Sequence, residues 1–322
     1  MAQTRIVRAT FLSLLIAVAN TTCTVNRQNQ FTSHVCATRV VFDSEEDGAP
    51  QVHILDIHSG DVTKLTTYQA LWAAGRFPDF APDGQYIAFV AEDEKQTGHL
   101  FTIGANGEGL KQLTIDEATY ESPAWSPDGE WIAFEMEQQG VWGLYLIRAD
   151  GSDLHRIGPS GVNLYHPSWS PDQRNIAVVT GSEEAWIAGI LDLSSGVVEQ
   201  LTKPGLDIGS VKWSPDGSKL ALDAVTDSNL DLYLLDLETR TLQRLTKNTA
   251  IDARPDWSPD GTQLVFHSTR DQGSSSAGQE RWDEFELYIY DLESGDIERL
   301  THNSWFDAHP DWCGPQVNGK TE

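Results

Sequence analysis

One short pattern recurs along the chain at a nearly constant interval, and such a recurrence restricts the fold more than any other feature of the sequence. Five segments read Pro/Val-x-Trp-Ser/Cys: they start at Pro123, Pro167, Val211, Pro255 and Pro310, with a degenerate sixth at Pro78 (Pro-Asp-Phe-Ala). The starts lie roughly 44 residues apart, with one interval about 11 longer. Most copies continue with Pro-Asp-Gly and an alternating apolar run, as in Tyr86–Phe89, Trp131–Phe134, Lys219–Leu222 and Gln263–Phe266. Each unit closes on Leu-Thr (Leu65-Thr66, Leu113-Thr114, Leu201-Thr202, Leu245-Thr246, Leu300-Thr301), with Ile157-Gly158 as the weak copy.

Short alternating runs punctuated by Pro-Asp-Gly and Asp-x-x-x-Gly are strands joined by tight turns, Pro fixing the first turn position and Gly supplying a positive φ later. Four strands fit each unit: a (PxWS), b (the IAF run), c (Leu232–Asp236, Leu287–Asp291) and d (Gln243–Thr246). One four-stranded sheet cannot bury both faces, whereas six stacked radially can. The expected fold is therefore all-β, a six-bladed β-propeller of four-stranded blades, with the repeated Trp residues packed between blades. The chain enters at strand b (Arg39–Phe42) and leaves after strand a (His309–Cys313). The last blade must then combine a C-terminal strand a with N-terminal strands b to d, which removes free sheet edges. Aligning Phe42 with Phe266 sets Cys36 opposite Asp260 and Cys313 opposite Ser258, across one tight turn. A Cys36–Cys313 disulfide is expected to close the ring, contributing on the order of 5 kcal/mol in the chain-entropy limit.

These residues resemble the TolB-like propeller repeat, PxWSPDGxxIAF followed by a Tyr-rich strand, D-x-x-x-G and LT. The resemblance runs from about Val40 to Trp312 and implies an extracytoplasmic propeller whose mouth receives peptide or protein partners, the peptidoglycan-associated lipoprotein among them, in support of the cell envelope. It is to the propeller part alone. The family's α/β domain precedes its propeller, and Asn20–Val35 is too short for one. Neither Gly-His nor Trp-Asp recurs, so the WD form of the repeat does not apply.

The N-terminus reads as an export leader spanning 1–19: Arg5 and Arg8, an apolar run over Ala9–Ala19, and Ala17-Val18-Ala19 as a small-x-small cleavage pattern. Residues 20–35 form a linker, 36–313 the propeller and 314–322 a tail. A disulfide between Cys36 and Cys313 leaves Cys23 over, and a thiol just beyond the leader raises lipid anchoring as a second reading of localisation, periplasmic or extracellular in either case. The chain carries 22 Lys+Arg against 48 Asp+Glu, a net charge of −26. That field repels phosphate backbones and anionic lipid, which excludes nucleic acid as the default partner and leaves the membrane reachable only through Cys23. A monomer is expected.

Function is expected on the face holding the d–a loops, which are longer and more varied than the a–b turns; the same face carries the insertion at 271–283. Those loops carry Tyr68, Trp72, Arg76, Asp116, Glu117, Tyr120, Glu121, Asn163, Tyr165, His166, Asp207, Asp252, Arg254, Trp305, Asp307 and His309. Asp252 and Asp307 stand three residues before the motif Pro; His166, Arg254 and His309 stand immediately before it, at the start of the innermost strand, and should rim the channel. The expected ligand is a protein, peptide or glycan held at Trp72, Arg76, Tyr120, Glu121, Tyr165, His166, Asp207, Asp252, Arg254, Trp305, Asp307 and His309, without a cofactor. The alternative is a metal-dependent polysaccharide lyase or hydrolase, with channel carboxylates on Ca²⁺ or His166, His267 and His309 on another divalent ion, as in a propeller oligogalacturonate lyase of comparable repeats. No HExxH, EF-hand loop, GxSxG elbow, phosphate loop or GxGxxG occurs in the sequence.

Overall fold

The computed structural model describes residues 36–314 except 47, 68–72, 93–96, 139, 183–184, 227–228 and 271–284. The leader, Cys23, Tyr68, Trp72, the insertion and the tail beyond Gly314 lie outside the described residues.

Six four-stranded antiparallel sheets follow one another in the order a-b-c-d. The innermost strands are Ala73–Phe80 in blade 1, Thr119–Trp125 in blade 2, Leu164–Trp169 in blade 3, Asp207–Trp213 in blade 4, Asp252–Trp257 in blade 5 and Asp307–Trp312 in blade 6. Blade 6 is the composite one: Asp307–Trp312 pairs with Arg39–Ser44, with Val40 opposite Trp312.

The repeat motif is legible as hydrogen bonds. In blade 5, Ser258 Oγ donates to Asp260 Oδ1 (2.7 Å), the same oxygen accepts from Thr262 N (3.1 Å), and Gln263 N donates back to Ser258 Oγ (2.9 Å). The Ser-Asp pair thus ties the a–b turn from both sides, as Ser126/Asp128, Ser170/Asp172 and Ser214/Asp216 also do. In blade 6 the two ends of that turn belong to opposite termini of the described chain. Cys313 occupies the Ser position and Cys36 the Asp position, and they are joined by a disulfide with Cα atoms 5.2 Å apart. The backbone bond beside it persists, Cys313 N to Arg39 O (3.0 Å) matching Ser258 N to Gln263 O (2.9 Å). A covalent bond therefore stands where blades 2 to 5 use a hydrogen bond.

The closing Leu-Thr works similarly: Thr114, Thr202, Thr246 and Thr301 each accept, through Oγ1, a backbone N–H from strand c of their own blade. Between blades the core is apolar. Trp312 of blade 6 packs with Val40, Val265, Leu287 and Ile289, and Trp257 packs with Ala221 and Leu264. Burial of a side chain of this class stabilises by about 1.5–3 kcal/mol, so six such seams hold the ring.

Candidate functional site

The innermost strands are bulged, and the bulge decides what faces the axis. In five blades the residue before the motif Pro has a left-handed backbone: Phe77 (φ 52°), Ser122 (47°), His166 (51°), Arg254 (53°) and His309 (48°). A register shift in the a–b pairing spans each of these positions. A non-glycine residue there costs roughly 1–2 kcal/mol, and a bulge re-aims its side chain. The exception is blade 4, where Val211 replaces Pro and Gly209 precedes Ser210; a Cβ on Gly209 would collide with an Asp223 carboxylate oxygen.

Four of the five strained residues are held from behind by polar groups of the preceding blade. His166 N donates to Glu135 Oε1 (2.7 Å), Arg254 N to Asp223 Oδ2 (2.6 Å), Phe77 N to Asp43 Oδ1 (3.3 Å) and His309 N to His267 Nδ1 (3.1 Å). Asp43, Glu135, Asp223 and His267 occupy one position of strand b and are all buried. Burial raises the Glu135 carboxyl to about 7.

The six residues at the pre-proline position, Phe77, Ser122, His166, Ser210, Arg254 and His309, line one funnel of about 500 Å³. Within it Arg254 Nη1 lies 2.6 Å from His166 Nδ1 and 3.1 Å from Nε2. Ser122 Oγ is 3.1 Å from the same Nδ1. His309 Nδ1 sits 2.8 Å from Asp43 Oδ1, and the His309 ring lies against Phe77 at 4.3 Å. Burial, then the charges of Arg254, His309 and Lys212, hold His166 well below the ordinary imidazole value, so the ring is neutral and accepts from the guanidinium.

At the channel waist Lys212 Nζ reaches three carboxylates: Asp311 (3.0 Å), Asp79 (3.3 Å) and Asp256 (3.6 Å). The second oxygen of each accepts a backbone N–H from the following blade: Asp311 from Phe80 (2.8 Å), Asp79 from Trp125 (2.7 Å) and Asp256 from Trp312 (2.7 Å). Burial alone would lower Lys212, but the three carboxylates outweigh it and hold the ammonium well above its usual range. Burial carries Asp256 and Asp311 up to about 7 and raises Asp79 as well. Beyond the waist a second funnel of about 820 Å³ opens on the a–b face, lined by the motif Trp side chains.

The residues expected at the mouth separate into three groups. His166, Arg254 and His309 meet in the funnel. Glu121 and Arg76 stand close enough for their charges to interact with each other and, in the case of Glu121, with Arg254 and His309; burial raises the Glu121 carboxyl. The rest serve the blades. Tyr120 is buried, its hydroxyl donating to Asp116 and its ring against Phe134. Tyr165 meets Trp186 edge-on at 5.2 Å. Asp207 is exposed and accepts from Trp186 N (3.3 Å). Asp252 is fully buried between Ser268 (2.5 Å) and Arg270 (2.6 Å), and Asp307 is fully buried on Asn303 (2.7 Å), with burial raising it to about 6. Trp305 is 44% exposed. Sequence reasoning passed over the waist, Asp79, Lys212, Asp256 and Asp311, although these stand at the variable x of the PxW motif. It also passed over the strand-b groups, whose signal is a polar residue directly after the apolar run. Among the described residues no group of three or more His, Cys, Asp or Glu side chains is arranged to hold a metal ion.

Fold and channel together define a closed six-bladed propeller whose axial channel is plugged at the waist and open at a mouth with histidine and arginine. The chain belongs to the TolB β-propeller domain family, whose model matches residues 73–211 and 207–276. It is 35% identical over 65 residues to dipeptidyl-peptidase 5 of Porphyromonas gingivalis, covering 19% of this chain and 10% of that protein. It is 28% identical over 78 residues to the Tol-Pal system protein TolB of Francisella tularensis subsp. mediasiatica, covering 24% of this chain and 17% of the relative. The chain thus matches only a small part of the length of these curated relatives. The crystal structure of TolB from Acinetobacter baumannii superposes with a TM-score of 0.69 at 18% identity, over 87% of this chain and 67% of that one, which is a likeness of fold.

Proposed function

We propose that the protein is an exported, non-enzymatic propeller that binds a protein, peptide or glycan partner at the mouth formed by its d–a loops, in a TolB-like role in the cell envelope. The observation that carries this reading is the convergence of the pre-proline side chains. Five blades hold a strained backbone at one equivalent position, and all six present that position's side chain to one funnel. Strain repeated where side chains converge is characteristic of a recognition surface. The funnel narrows onto the Lys212 plug, so a ligand is held at the rim.

The test is affinity capture from envelope extract with the mature protein, beside an Arg254→Ala/His309→Ala variant that retains the wild-type unfolding midpoint. A partner held by the first bait and lost by the second supports the reading. If both baits hold the same set, the mouth is not the binding surface. Retention of a divalent ion by the purified protein, with cleavage of a polyuronate that depends on His166, would replace this reading by the lyase alternative.

A further inference from the structure

We propose that the mouth is a carboxylate receptor, in which Arg254, braced by His166, takes an acidic side chain presented by a peptide segment of the partner. This deepens the partner-binding reading and rests on it.

The first observation is how Arg254 is paired. Four cations packed into the channel and blades hold carboxylates, Lys212 on its three aspartates, Arg270 on Asp252, Arg299 on Glu286 and Arg244 on Asp231, whereas Arg156 in blade 2 meets only the Pro159 carbonyl among the described residues. Among the described residues the Arg254 guanidinium has none at ion-pair distance. Its hydrogen bond runs from Nη1 to the one acceptor nitrogen of the neutral His166 ring, which leaves Nε and Nη2 without an acceptor among the described residues. Those two donors lie along one edge of a planar fork, the geometry that a carboxylate meets with two parallel bonds.

The second observation is the sign of the local field. The chain carries −26 overall. Yet, besides burial, positive charge on Arg254 and His309 depresses both His166 and His267, and Arg254, His309 and Arg76 draw Glu121 downward against the effect of burial. Around the Arg254 guanidinium itself, which no carboxylate among the described residues meets at ion-pair distance, the field is locally positive. Such a field selects an anion. The walls select its stem: Pro78, Pro123, Pro255, Pro310 and the Phe77 ring are apolar. A single guanidinium set in apolar walls suits one planar carboxylate on a short aliphatic chain. A phosphate dianion would call for more donors. Glu121 is the internal carboxylate that faces the same cations, and an incoming acid meets its repulsion.

The experiment uses the mature chain and two blocked peptides, acetyl-Pro-Glu-Pro-amide and its Gln counterpart, read by calorimetry and by the NMR resonances of the His166 ring. The Glu peptide is expected to shift those resonances and to bind at least about tenfold more tightly than the Gln peptide. Arg254→Gln should abolish that preference, and Glu121→Gln should strengthen binding of the Glu peptide by a few-fold, roughly the effect of removing one nearby like charge. Opposite responses of two neighbouring variants distinguish recognition from damage to the fold. Equal binding of the two peptides, a preference that survives Arg254→Gln, or inorganic phosphate competing as well as the Glu peptide would each overturn the proposal. Failure of both peptides to bind while capture from envelope extract succeeds would also overturn it, and would leave the partner-binding reading standing.

Discussion

The waist and the mouth of the channel are adjacent, both built from the innermost strands, and both place a cation on the axis; they differ in what surrounds that cation. Lys212 has three carboxylates within 3.6 Å, each anchored by a backbone N–H of the next blade. Arg254 has a neutral imidazole. The waist is a charge surrounded by excess countercharge, and that arrangement fixes five of the six blades against one another. The mouth is a charge with donors to spare, and that arrangement suits a ligand. Neighbouring positions of the innermost strands, one on blade 4 and one on blade 5, thus divide stability from recognition by the number of carboxylates each cation meets.

The comparison is broken most readily at the waist. Lys212→Met would strand three buried carboxylates around an apolar side chain. At pH 8 the loss of unfolding free energy is expected to be about 3–5 kcal/mol, the cost of removing one partner from a buried ionic cluster. Urea denaturation of the variant beside Arg254→Met checks it. If the Arg254 variant loses as much, the two cations are not doing different things.

A second test uses pH. In the unfolded chain Asp256 titrates near 3.8, and in the fold near 7, because burial opposes its charge. Between those values the folded state binds more protons than the unfolded one, so this group's contribution is complete below about 4 and is lost as pH rises toward 7. Asp256→Asn keeps the shape and removes the titration. The stability of the variant relative to wild type should therefore rise by about 1–3 kcal/mol between pH 5 and pH 8. Depressed His166 and His267 pull the other way in both proteins, which is why the difference is read rather than the wild-type slope. A flat difference would mean that Asp256 is already ionised in the fold at pH 5.

The blade architecture was legible because the repeat writes the a–b turn and the closing Thr into the sequence five times each. The closing disulfide was legible for the same reason, since Cys36 and Cys313 fall on positions whose partners in other blades touch. The mouth was legible only in part. His166, Arg254 and His309 share a position with a fixed geometry, whereas Asp252 and Asp307 share one that faces inward to Ser268, Arg270 and Asn303. Equivalence within a repeat shows that two residues point alike, not whether they point to solvent or core. The waist was missed because its four residues differ in charge and look like noise in the motif. Their meaning depends on contacts across the ring, such as Lys212 to Asp79, which no local pattern encodes.

The smallest expected effect sharpens the mouth. Arg254→Gln removes one cation from beside His166 but leaves His309, Lys212 and the burial that is the larger cause of the ring's depression. Stability should change by less than about 1 kcal/mol, because Arg254 is only partly buried and the Gln side chain can still donate to the ring. The protonation midpoint of His166, followed by NMR, should move upward without reaching the ordinary imidazole value near 6.5. The sign follows from charge: a positive neighbour disfavours a second positive charge, so its removal favours the imidazolium. An unmoved midpoint would place the Arg254 charge too far away or too well screened to act on His166, and the mouth would then lack the unspent positive field that separates it from the waist.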